Sequence, residues 1–390
     1  MLLDFYHHIK LPHFRAKPLS ALYFSFTLRT LAISLVSVFI PIYILNITGD
    51  FLWVLVFFAA YSSFVVALAM PLGWLVVRIG FRWSVFVASV LLALELFLFS
   101  LAAENILYLW IVVPLEAAKL LLFWIPYHLI FVEDASARHF GEQVSIPGVI
   151  ARLVAVVAPL AGGFTISKIG FTSVFYLAIF LVLASALPLF FMPHHAHGAY
   201  PGWRHILKET FAGGYGRIFA AFWGVRSVAL VAAVVWPVFL FGLTQNSYSE
   251  VGVITSAVLL VSVVSLLATG RAVDRFGRRL VLRFGAWVNS TIWIVKAFIA
   301  TPFEAFFVDS LNKLVDGVQG IPFDVVTYEK ARRRKHPSEF IVRREMLLHF
   351  GGILTTLGMM GLWVLGVPLP AFFLIAALGY LVSMFMLAGD

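Results

Sequence analysis

The 390-residue chain contains no cysteine, which excludes disulfides, thiol chemistry and thiolate metal sites, and leaves the redox compartment open. Charge is scarce: Asp, Glu, Lys and Arg make up 12% of residues, against 62% hydrophobic ones and a mean hydropathy of +0.98. Those values lie far from the makeup of soluble domains and point to a membrane protein. A Gly-x4-Gly-Lys-[Ser/Thr] phosphate loop is also missing, which disfavours ATP-driven pumping. The N-terminal "MLLDFYHHIKLPHFRAKPL" is interrupted by charge and proline before its first long apolar run, so no cleavable signal peptide is expected.

Long apolar runs, divided by charge, Gly or Pro, predict helices near 19–46, 51–77, 83–102, 105–133, 143–168, 170–192, 216–243, 248–271, 280–299, 302–330, 339–365 and 367–388. These runs are called spans 1 to 12 below. A span needs ~20 apolar residues, so twelve short-looped spans nearly exhaust the chain. Acidic residues are few, 19 against 28 Lys and Arg, and the basic ones cluster on one side of the spans. Lys10, Arg15, Lys17, Arg78, Arg82, Arg138, Arg204, Lys208, Arg275, Arg278, Arg279 and the run 332–335 all fall there. The positive-inside rule then places both termini and the loop 193–215 in the cytoplasm, in the inner membrane if the source is bacterial. The net charge of +9 is thereby topological, and no nucleic-acid partner is expected.

An internal repeat runs through the chain at offsets of 196 and 197 residues. It aligns Arg29 with Arg226, Pro41 with Pro237, "IPYHLIFVE" (125–133) with "IPFDVVTYE" (321–329), and Arg152 with His349. It also aligns "GWLVVRIGFR" (73–82) with "GRAVDRFGRR" (270–279). Two parallel six-helix bundles follow, 1–192 and 216–390, joined by a cytoplasmic linker at 193–215. Such a repeat suits an alternating-access carrier, and a channel would not need it.

These motifs resemble the major facilitator superfamily of secondary transporters, in which the loops between helices 2 and 3 and between helices 8 and 9 carry a Gly-x3-Asp-Arg-x-Gly-x-Arg element. Gly270, Asp274, Arg275, Gly277 and Arg279 match it, whereas the first copy has Val77 at the acidic position. "APLAGG" at 158–163 looks like the Pro-Gly signature of many exporters of that family. The resemblance implies that helices 1, 4, 7 and 10 line a central path. Glu133 and Glu329 end spans 4 and 10 beside the basic loops, where Arg78, Arg82, Arg275 and Arg279 are expected to pair with them and, with Asp274, to form a cytoplasmic gate.

Ionisable residues inside spans mark candidate function. Arg29 and Arg226 are each the eleventh residue of their spans. At 1.5 Å per residue they lie ~15 Å in, near the middle of the bilayer. They are the expected substrate clamps, together with Glu116, Lys119, Asn312 and Lys313. Asp309, Asn312, Lys313, Asp316, Gln319 and Gly320 share one face of span 10, which must point away from lipid. The pairs Glu116 with Lys119 and Asp309 with Lys313 have the spacing for local neutralisation. Asp309, Asp316, Arg152 and His349 are the expected proton-coupling residues, His349 with Glu345 one turn before it. Glu95 and Lys296 fall on spans 3 and 9, peripheral by the resemblance, with Lys296 free to snorkel outward. Counting Arg29, Lys119, Arg152, Arg226 and Lys313 against Glu116, Asp309 and Asp316 leaves two positive charges in excess, which predicts an organic anion as substrate. Proton-driven efflux of amphipathic compounds, favoured by 39 Phe and "APLAGG", is the other transport reading, and a transport-dead receptor or scaffold the reading of another class. "PHHAHG" at 193–198 lacks acidic partners and reads as a solvated loop, so no metal, cofactor or enzymatic activity is expected, and the protein is expected to be monomeric.

Overall fold

The structure is a computed structural model in which residues 17–134, 153–191, 216–276, 278–334 and 336–387 are described. Helix occupies the described part of every one of the twelve predicted spans, and there is no strand among the described residues. Among the described residues, seven helical stretches are long and apolar enough to cross a bilayer, and 153–169 and 248–263 are shorter apolar helices. One of the seven, Phe51–Ala102, has 52 residues. At 1.5 Å per residue that is ~78 Å, more than twice a hydrocarbon core, so it must hold two spans. It does: Gly80 has φ 75° and ψ 173°, a conformation closed to residues with a Cβ, and it reverses the chain between spans 2 and 3. The repeat-equivalent position is 277, and helices Tyr248–Phe276 and Arg278–Lys296 end and begin on either side of it.

The prolines of the repeat act alike. Span 1 is Lys17–Val36, a turn, then Ile40–Thr48 with Pro41 in its first turn. Span 7 is Gly216–Leu230, a π-helical turn at Val231–Val235, then Trp236–Leu243 with Pro237 in its first turn. A proline removes one backbone donor and clashes with the carbonyl four residues back, so each span is interrupted at the same point of the repeat. Span 10, Pro302–Arg332, starts from a capping box in which Glu304 N–H donates to Thr301 Oγ1 at 3.2 Å while the Glu304 carboxylate accepts from Thr301 N–H at 3.1 Å.

Within the first half, span 4 (Leu107–Asp134) packs on spans 2 and 3, and span 6 (Phe171–Ala186) on spans 1 and 3. Within the second, span 10 packs on spans 8 and 9, and span 7 on span 11 (Pro337–Val364) and span 12 (369–387). Between halves, span 2 lies along span 11 and span 5 (153–169) along span 8, while span 4 meets spans 10 and 11.

The span 5–span 8 contact is backbone to backbone. A Cβ at Gly163 would stand 2.4 Å from Tyr248 O, one at Gly252 would stand 2.4 Å from Pro159 O, and Leu160 N–H donates to Ser256 Oγ at 2.9 Å. "APLAGG" thus supplies the small residues of a tight seam between the halves.

The short loops define two ends of the bundle: a linker end, where spans 6 and 7 face the segment 193–215, and a far end. Contacts across the halves hold both. At the far end Asn46 Nδ2 donates to Tyr248 Oη at 2.5 Å and Trp363 Nε1 donates to Asp50 Oδ1 at 2.9 Å. At the linker end Arg332 Nε donates to Val132 O at 2.8 Å.

Candidate functional site

Among the described residues, four groups of ionisable side chains inside the bundle link neighbouring spans, apart from the Glu339–Arg343 pair within span 11. The first lies in the N-terminal half. Arg29, 4% exposed on span 1, donates from Nη1 to Ser89 Oγ at 3.3 Å and stacks its guanidinium 4.3 Å over Phe123. Beside it, Lys119 on span 4 pairs with Glu116 one turn away and with Glu95 of span 3, at 2.8 Å. Glu95 is 1% exposed and therefore faces inward, not the periphery expected from the family resemblance. Two carboxylates share one ammonium, and Arg29 brings the group to formal neutrality. The signal for Glu95 was present in the sequence: a lone carboxylate within the otherwise uncharged run 83–102 must find a polar partner.

The second group mirrors the first with different chemistry. Lys296, also 1% exposed, does not snorkel. Its ammonium donates to Asp309 Oδ1 at 2.6 Å and Asn312 Oδ1 at 3.2 Å, and lies 4.1 and 4.0 Å from the ring centres of Trp236 and Trp293. Asn312 Nδ2 passes the chain on to Asn289 Oδ1 at 2.8 Å. Carboxylate, amide and two indole faces together desolvate the cation favourably. The local pairing of Asp309 with Lys313 is replaced by this contact, because span 9 supplies the closer cation.

Lys313 pairs instead with Asp316, at 3.5 Å, and Tyr380 of span 12 donates to Asp316 Oδ1 at 2.9 Å. The polar stripe of span 10 therefore serves two neighbours, span 9 through Asp309 and Asn312 and span 12 through Asp316. At the offset of 197, Glu116 corresponds to Lys313 and Lys119 to Asp316, so the repeat keeps the pair and inverts its polarity.

The third group straddles the seam of spans 2, 7 and 11. Arg226 has its guanidinium 5.7 Å from the Tyr61 ring, and the buried His349 meets the same ring edge-on at 5.2 Å. A Cβ on Gly352 would come within 3.2 Å of Arg226 Nε, so the arginine lies along span 11. Arg29 Nε, Arg226 Nε and His349 Nδ1 are buried without a hydrogen-bond partner. Among the described residues neither arginine has a carboxylate within 4.0 Å.

The fourth group lies towards the linker end. His128 of span 4 shares hydrogen bonds with Tyr328 Oη of span 10, at 2.7 Å, and with Arg344 Nη1 of span 11, at 3.1 Å. Arg344 also pairs with Glu345 and has Asp324 at 3.9 Å. Glu345 thus faces Arg344 and His128 and not His349, as its i−4 spacing predicted. His128 and Asp324 occupy equivalent places in the repeat, and both address one arginine.

Of the expected gate, Arg78 stacks 4.5 Å from Trp74 and Arg82 5.3 Å from Trp83. Arg279 is exposed and Glu329 half-buried, each with other interactions. Arg152 and the side chains of Glu133, Asp274, Arg275 and Gln319 lie outside the described residues, as does the segment 193–198. No cluster of three or more potential metal ligands occurs among the described residues.

No family profile and no curated protein matches the chain. Solved structures do. A variant of the E. coli fucose:proton symporter FucP aligns with a TM-score of 0.69 at 15% identity, covering 95% of this chain and 97% of that one. A second structure, of the Major Facilitator Superfamily transporter FucP in the outward conformation, gives 0.67 at 16% identity with the same coverage. The chain has the major facilitator fold. Spans 1, 4, 7 and 10, which the family resemblance expects to line a central path, carry Arg29, Glu116, Lys119, Arg226, Lys313 and Asp316. Glu95 and Lys296 reach the same charged layer from spans 3 and 9.

Proposed function

We propose that the chain is a secondary active transporter that moves a small organic anion together with a proton. Its halves, 1–192 and 216–390, rock about the seams of spans 2 with 11 and 5 with 8, and the linker 193–215 tethers them on the cytoplasmic side. On this reading the chain works as a monomer in the inner membrane, with both termini cytoplasmic and without cofactor or metal.

One observation carries the anion reading: the buried Arg29 and the half-buried Arg226 each hold a buried Nε–H with no hydrogen-bond partner, and among the described residues no carboxylate lies within 4.0 Å of either. An unmet charged donor inside a protein costs more than a typical hydrogen bond yields, and an oxyanion satisfies two such donors at once. The surrounding charges sharpen the point. Arg29, Lys119, Glu95 and Glu116 sum to zero, as do Lys296, Asp309, Lys313 and Asp316, so Arg226 is the formal excess beside these two groups, while Arg344 with Glu345 and Asp324 carries one net negative charge nearer the linker end. A proton taken up by the Glu95–Glu116 pair frees a second positive charge beside Arg29. Proton and anion would then favour each other's binding, which is the linkage a symporter needs. The description of one solved neighbour as a fucose:proton symporter agrees with that coupling.

Arg29→Lys and Arg226→Lys keep the charge and lose the planar two-donor fork. Each should weaken anion binding roughly tenfold to a hundredfold, the loss of a charge-assisted hydrogen bond of ~1.5–3 kcal/mol. Titration of purified protein with a panel of carboxylates and phosphates, and with fucose and amphipathic cations for comparison, checks this. Undiminished anion binding by both variants, or binding of sugar or amphipath in place of every anion, would overturn the substrate class.

A further inference from the structure

His128 of span 4 makes two side-chain hydrogen bonds, and both cross to the other half of the molecule. It is 5% exposed. On its own span the rings of Trp124 and Tyr127 flank it, at 5.4 and 5.7 Å. From span 10 come Tyr328 at 2.7 Å and, behind Arg344, Asp324. From span 11 come Arg344 at 3.1 Å and Glu345, whose carboxylate is 3.8 Å from Nε2.

The chemistry of these partners fixes the protonation state. A guanidinium has no acceptor, so the contact between Arg344 Nη1 and His128 Nε2 requires Nε2 to accept, with its lone pair free. The ring proton is then on Nδ1 and is donated to Tyr328 Oη. His128 in this closed linker end is the neutral Nδ1–H tautomer. A second proton on Nε2 would set two N–H groups and two positive charges face to face at 3.1 Å, in a site already shielded from water. Glu345 cannot relieve both, because it is already paired with Arg344. The proton is accommodated when spans 10 and 11 withdraw from span 4 and water reaches the imidazole.

We propose that His128 is a coupling-proton site and that its protonation releases the contact of span 4 with spans 10 and 11, opening the linker end. The proposal rests on the alternating-access reading above and adds the group that ties proton uptake to one of its states. Linkage gives the sign. The closed state excludes the proton and the open state admits it, so falling pH favours the open linker end through the range near and below an ordinary imidazole pKa of ~6.5. Between pH 7.5 and pH 5.5 the ratio of open to closed should rise about tenfold for one such group. Arg332, which holds Val132 O one turn further along, keeps its charge throughout this range and adds no pH dependence.

The absence of cysteine makes the test direct. Leu187→Cys and Leu280→Cys place spin labels on exposed positions at the linker ends of spans 6 and 9, one in each half. Pulsed dipolar spectroscopy in lipid nanodiscs then reads the distance distribution at pH 7.5 and 5.5, with no substrate present. The parent should shift population towards the longer distance about tenfold at the lower pH. His128→Gln, whose side-chain oxygen still accepts from Arg344 but cannot titrate, should show the closed distance at both. Arg344→Gln removes the opposing charge and keeps the histidine, and should flatten the response as well. It decides the matter should His128→Gln fail to purify as a single species. A parent indifferent to pH, or a variant that keeps the full shift, overturns the proposal. Neither outcome depends on substrate, so failure of the anion reading would leave this result standing.

Discussion

Lys296→Met is expected to destabilise the protein by about 3–5 kcal/mol, the cost of stranding a buried carboxylate when its counter-ion is removed. Asp309 would lose its 2.6 Å partner, and Lys313, the other cation at helical spacing from it, is paired with Asp316. Methionine fills much of the volume between Trp236 and Trp293, which separates loss of charge from loss of packing. Combining it with Asp309→Asn should restore most of the stability, since a neutral amide needs only the hydrogen bonds that Asn312 can offer. Denaturant unfolding in detergent micelles, followed by tryptophan fluorescence, measures all three variants. Equal destabilisation by the single and double variants would show that the ion pair is not the source.

Lys119→Met should behave differently, although it too removes a buried lysine from its carboxylates. Glu95 and Glu116 would face each other without the ammonium, and like charges so placed hold a shared proton firmly. That proton neutralises the site, so the fold should be retained. On the symport reading a proton locked between these carboxylates can no longer be released in each cycle, whatever His128 contributes. Uptake driven by a pH gradient should therefore collapse to simple equilibration, while exchange of labelled for unlabelled substrate across equal pH continues. One proton per cycle sustains up to about tenfold accumulation for each pH unit of gradient, at 1.36 kcal/mol per unit, so the expected loss is of that size. Proteoliposome assays of both activities side by side decide it. Full accumulation by Lys119→Met would remove the Glu95–Glu116 pair from the coupling mechanism.

The architecture was legible because its signals are local and doubled. Pro41 and Pro237 each interrupt a span, and Gly80 turns the chain, for reasons of backbone geometry that hold wherever those residues stand. The charged layer was legible by depth but not by partner. Depth follows from counting along one helix, whereas partners depend on how neighbours rotate. Asp309 was paired with Lys313 on spacing alone, and the packing of span 9 brought Lys296 closer. Lys296 and Glu95 were set aside on a family's general arrangement when the cost of burying a charge argued for interior places. His128 lies in the repeated stretch 125–133, yet nothing in the sequence names its partners, Tyr328 and Arg344, 200 and 216 residues away. Glu345 was assigned to His349 by helical register. The seam between halves turned it to His128 and Arg344.

The most direct test of proton-coupled anion carriage is accumulation of a labelled organic anion by proteoliposomes of the purified protein under an imposed pH gradient, with and without a proton ionophore. An alternating-access symporter predicts accumulation above the external concentration on the alkaline side, abolished by the ionophore, with exchange surviving it. Equal internal and external concentrations at every gradient, for every anion in the panel, would contradict it.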